Sequence, residues 1–150
     1  MADWDFYLRG FEYDLWANKL WLASLLGKQF PEPDTEIFAH ILAAQSIWLS
    51  RVNGDSPSAM PEIEPTEAEL NRLNPGWTQV LASAADDRMV DFRRTTGEQL
   101  RLPLSEIARH VANHGTYHRG ELRGLCLARN DGGFPETDYS RFAVVAPRLS

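Results

Sequence analysis

The stretch His110-Val111-Ala112-Asn113-His114-Gly115-Thr116-Tyr117-His118-Arg119-Gly120-Glu121 holds three of the chain's four histidines, at intervals of four residues. Residues four apart share one face of an α-helix, with Cβ atoms about 5–6 Å apart. That spacing lets two imidazoles grip one metal ion at about 2.0–2.1 Å each. Three successive turns span roughly 12 Å, too far for all three rings to reach one ion. Either one adjacent pair binds with the third in support, or none binds.

The surrounding pattern selects the pair. Ile107, Val111, His114, His118, Leu122 and Leu125 follow the spacing of core positions. His114 and His118 are therefore expected to point inward, where a polar ring needs a partner to offset its desolvation. His40, between Ile37 and Ala44, takes a comparable position in an earlier helical segment. Three inward imidazoles from two helices make a plausible facial triad that leaves coordination positions for water or substrate. The alternative is a set of hydrogen-bonded core histidines.

Working outward, Leu104 to about Arg129 reads as one helix, opened by Pro103 and Ser105 and ended by Asp131-Gly132-Gly133. Before it, the alternating segments Val90–Arg94 and Gln99–Leu102 flank Thr95-Thr96-Gly97-Glu98 and predict a small β-hairpin. Thr66 to about Met89 is helical in pattern but contains Asn74-Pro75-Gly76, which predicts a break or kink. A second helix is expected to be capped by Asp34 or Thr35 and to run to about Val52. The proline-rich connection after it, Asp55–Pro65, is long enough to cross from one end of a bundle to the other.

The first helix, from about Trp4 to Leu26 and stopped by Gly27, carries two apolar lines. One is Trp4, Leu8, Phe11, Leu15, Leu22 and Leu25; the other is Tyr13, Trp16, Ala17 and Leu20. A helix apolar on two sides is either central or shared with a partner, so a homodimer is expected. The tail from Phe134 to Ser150 includes Phe142-Ala143-Val144-Val145, which can pack back on the bundle. Four helical segments predict an all-α four-helix bundle, residues 1–150 forming a single domain.

Composition narrows the function classes. Fifteen Lys and Arg against 21 Asp and Glu give a net charge of −6, which argues against nucleic acid as a partner. The lone Cys126 excludes an intramolecular disulfide and a CxxC site. No apolar run is long enough to span a membrane and the N-terminus has no signal-peptide pattern, so a cytoplasmic protein is expected.

The stretch from His110 to Glu121 resembles the last-helix signature of the DinB-like (DinB/YfiT-like) family, which is unrelated to the DNA polymerase sharing that name. Tyr13-Asp14-Leu15-Trp16-Ala17-Asn18 resembles its first-helix motif. Phe38-Ala39-His40-Ile41-Leu42, followed by Ile47-Trp48-Leu49, resembles its second, and Asp138-Tyr139 before Phe142 is also similar. The resemblance implies a bundle of up-down-down-up connectivity, commonly dimeric, holding a divalent metal through three histidines. By motif these are His40, His114 and His118, the same three that the spacing argument selects. Related members include thiol-dependent S-transferases and a mycothiol-dependent isomerase. One departure is Glu121, where the family often has Gln. The acid is open to three readings: a neighbour orienting a ligand, a fourth ligand, or a partner for a cation.

The expected metal is zinc or nickel first, with iron, manganese and copper also compatible. An ion held by neutral imidazoles keeps its charge and lets a bound water or thiol lose its proton more readily. The leading expectation is thus a metal-dependent enzyme acting on a small-molecule substrate, with transfer to or from a low-molecular-weight thiol favoured over hydrolysis. The alternative is a non-catalytic, metal-stabilised module in protein interaction or stress response. Asn18 is expected near the site cavity, Tyr117 and the tryptophans in packing, and Arg119 either on an anion or in an ion pair. Cys126, about 12 Å beyond His118 along the helix, is expected to be a core hydrophobe.

Overall fold

The computed structural model describes residues 2–27 and 31–148; Met1 and the tail's Leu149 and Ser150 lie outside them. The elements are α1 (Trp4–Gly27), α2 (Glu32–Val52), α3 (Glu67–Ala82), β1 (Met89–Arg93), β2 (Gln99–Pro103), α4 (Leu104–Ala128) and α5 (Tyr139–Val145). The architecture is all-α, with one two-stranded antiparallel hairpin pairing Val90 with Leu102 and Phe92 with Leu100.

Helix directions follow from which ends share a core. One cluster joins Phe11 of α1, Val52 of α2, Trp77 and Leu81 of α3, and Leu104 to Val111 of α4, with Val90 and Phe92 of β1 closing that end. The other joins Trp21 and Leu22, Phe38 to Leu42, Leu70 and Leu73, and Leu122 and Cys126. Thus α1 and α4 run one way while α2 and α3 run the other, an up-down-down-up bundle. The connection between α2 and α3 crosses from the end where α2 finishes to the end where α2 began, as its length predicted.

Two local expectations are corrected. The Asn74-Pro75-Gly76 signal does not break α3, and that helix ends at Ala82 rather than near Met89. Leu70, Leu73, Trp77 and Leu81 form an unbroken buried stripe through the proline, and Trp77 Nε1 donates to the Gln45 carbonyl at 3.1 Å. Burial on that stripe outweighs the roughly 3 kcal/mol helix penalty of proline. Asp34 and Thr35 do not cap α2, which begins beyond Pro31. Asp34 is instead fully buried and takes a bidentate pair from Arg129, at 3.1 and 2.6 Å, fastening the start of α2 to the end of α4.

The second apolar line of α1 is covered in part by the chain's own tail, which packs back on the bundle as expected: Tyr13, Ala17 and Trp16 lie against Phe142 of α5 and Ala146, while Leu20 stays exposed. Tyr13 OH donates to the Thr137 carbonyl at 2.5 Å, and the Arg9 guanidinium lies 4.2 Å over the Phe142 ring. Among the described residues, no helix is long and apolar enough to cross a membrane.

Candidate metal centre

His40 comes from α2, and His114 and His118 from adjacent turns of the antiparallel α4. The three ring centroids stand 4.9, 4.8 and 4.5 Å apart for the pairs 40–114, 40–118 and 114–118. One ligand nitrogen from each ring lies within 4.8 Å of the others. The Nε2 atoms of His40 and His114 approach to 3.1 Å. Two nitrogens bound to one ion at about 2.0–2.1 Å, subtending roughly 90–110°, sit about 2.8–3.4 Å apart. The observed separation falls inside that interval, so the pair fits a shared ion. His110, with its centroid 5.8 Å from that of His114, packs against Trp48 at 5.3 Å and lies outside the trio.

The rings do not point into the core. The buried line of α4 is Leu104, Ile107, Ala108, Val111, Gly115, Arg119, Leu122 and Cys126. His114 and His118 flank it half-buried, and His40 is exposed. Placing the histidines on the core line failed because Gly115 and Arg119 read as surface residues, yet they occupy it. The functional consequence is access: the nitrogens converge in the seam between α2 and α4, open to solvent on one side.

Burial, reinforced by the charges of His118, His40 and His110, pushes the His114 pKa down to about 4. His40 is lowered too, by burial and then by His118, against a raising influence from Glu121. His110 is lowered by burial and by Arg51. Crowded, partly desolvated imidazoles favour the neutral form, which is the form that ligates metal. Glu121 Oε2 stands 3.3 Å from His118 Nδ1, within ion-pair distance but without hydrogen-bond geometry. That carboxylate sets a negative charge beside the His118 ring. Three nitrogen donors of this kind suit a divalent ion of borderline softness.

The DinB family model matches residues 26–146. The chain belongs to the DinB family. It is 23% identical to Protein DinB of Bacillus subtilis (strain 168), over 92% of this chain and 94% of that protein. No solved structure matches it significantly. In this DinB-family chain the matched span contains all three histidines but begins near the end of α1, leaving Asp14 and Asn18 outside it.

Those two residues hold the bundle together behind the centre. Asp14 and Arg119, both about 2% exposed, pair at 2.7 Å. Asn18 accepts from Arg119 at 2.7 Å and donates to Asp14 at 3.1 Å, and Gln45 of α2 donates to the same carboxylate. Gly115 makes room: a Cβ there would stand 2.7 Å from Asp14 Oδ1 and 3.0 Å from Arg119 Nη1. Arg119 is thus an ion-paired core residue rather than an anion holder, and Asn18 joins this network rather than facing the site opening. A charged residue inside the apolar pattern of α1 was the available signal for Asp14.

The remaining candidates sort readily. Tyr117 is 73% exposed and meets His118 edge-on at 5.0 Å, so it is not a packing residue. Cys126 and Trp21 are in the core, as expected, while Trp16 packs on Phe142. A cavity of about 1160 Å³ lies on another side of the bundle, between α1, α4 and the tail, and includes none of the three histidines.

Proposed function

We propose that His40, His114 and His118 hold a divalent metal ion, zinc or nickel in first place, and that the protein is a metal-dependent enzyme acting on a small molecule. The 3.1 Å approach of two Nε2 atoms from different helices, in a solvent-open seam, carries this reading. Bound there, such an ion supplies positive charge that makes a coordinated thiol or water easier to deprotonate. The chain's own part is to present the three imidazoles, to set the Glu121 carboxylate beside His118, and to leave the exposed Tyr117 phenol beside the opening. Thiol-dependent transfer is favoured over hydrolysis by the family resemblance. The single buried cysteine suits a reducing, cytoplasmic setting.

Protein purified without an affinity tag should carry about one ion per chain, and His114→Ala should lose it. Full retention of metal by that variant overturns the proposal. Turnover of an electrophile with a panel of low-molecular-weight thiols, dependent on the metal, separates transfer from hydrolysis. A coordination shell closed to exchangeable water, read spectroscopically in a cobalt-substituted form, would support the non-catalytic reading instead.

We propose in addition that the chain forms a homodimer through the α1–α4 face. Phe6 and Tyr139 remain exposed around the 1160 Å³ cavity there, and Arg109, Arg123 and Arg148 share its lining with Glu136 and Asp138. A two-fold axis brings such mixed charges opposite one another. Light scattering at micromolar concentration tests it, and a monomer would overturn it.

A further inference from the structure

Arg51, in the last turn of α2, is only 7% exposed. Its Nε has no hydrogen-bond partner, and among the described residues no carboxylate pairs with its side chain. The guanidinium carbon lies 4.5 Å over the Trp48 ring and 5.3 Å over that of Phe92. Ring faces attract a cation but supply no oxygen acceptor for a planar fork of N–H donors. A buried guanidinium without an anion is costly, and here burial and the neighbouring Arg94 both work against its charge.

What surrounds it leads back to the histidines. Trp48 meets His110 at 5.3 Å, and His110 lies 5.8 Å from His114, so a row of rings connects Arg51 with the metal centre along the α2–α4 seam. Arg94, exposed just after β1, adds a second cation, paired with Glu98 at 3.3 Å.

We propose that Arg51, with His110 and Arg94 at its rim, is an oxyanion site that takes the carboxylate of a small-molecule substrate whose reacting group lies at the three histidines. The anion site stands on Arg51 and its two neighbours; only the link to a reacting group rests on the metal-centre reading. A carboxylate matches the guanidinium fork in its plane and supplies the absent acceptors.

The test is an NMR titration of metal-free and zinc-loaded protein with sodium acetate, at ionic strength held constant with chloride, following the Arg51 Nε–H and His110 ring signals. A saturable shift in both forms, with Kd on the order of millimolar, is expected. Arg51→Gln should abolish it. Arg94→Ala, at an exposed position that leaves the fold intact, should weaken it by about two- to fivefold, as for loss of one exposed charge. His114→Ala should leave the acetate response intact while removing metal, so failure of the metal centre and failure of the anion site read out separately. No acetate response at Arg51, an undiminished response in Arg51→Gln, or saturation by inorganic phosphate but not by acetate would overturn the assignment.

Discussion

At the scale of single residues, the centre is governed by neighbours that hold protons and space. In the metal-free protein, His114 with a pKa near 4 binds a proton less readily than the unfolded chain does, whose imidazole titrates near about 6.5. The folded state therefore loses stability as pH falls from about 6.5 toward 4, and that loss levels off below. Chemical denaturation across this range checks the sign, and the slope should shrink in His114→Ala. Glu121→Gln removes the negative charge beside His118 Nδ1 and should weaken metal affinity by about 10–100-fold, measured by competition with a chelator. Gly115→Ala drives a Cβ into Asp14 and Arg119 and should destabilise by about 1–3 kcal/mol in denaturant melts, without touching a histidine. The three ligand candidates were legible from spacing and motif alone. Their surface position was not, because the partner that draws Arg119 inward, Asp14, lies 105 residues away in the chain.

Among elements, legibility tracked how local the deciding force is. The hairpin followed from alternation within a dozen residues, and the start of α3 at Thr66 is fixed locally by its side chain, which accepts from Glu69 N at 3.2 Å. The start of α2 and the continuity of α3 depend on contacts made only in the folded bundle: Arg129 on Asp34, and Trp77 and Leu81 in the core around Phe11. Removing Arg129 strands a buried carboxylate. Arg129→Ala should lower the melting midpoint, because it leaves the Asp34 carboxylate buried without its partner. Thermal melts above pH 6 test this, and an unchanged midpoint would show that the carboxylate finds another partner.

For the whole molecule, α5 completes the coat of α1. Phe142→Ala should destabilise by about 3–5 kcal/mol and uncover Tyr13 and Trp16, seen as raised dye binding to apolar surface. The up-down-down-up course also sets the site, since it lays α2 antiparallel to α4 and brings donors 74 residues apart into one seam. Sliding one of these helices along the other by a single turn, about 5.4 Å, would keep aliphatic side chain against aliphatic side chain. It would nevertheless carry His40 out of reach of its two companions. An ion gripped by all three would penalise that slip far more than leucine packing does, and so would serve as a pin that fixes the axial register of the bundle.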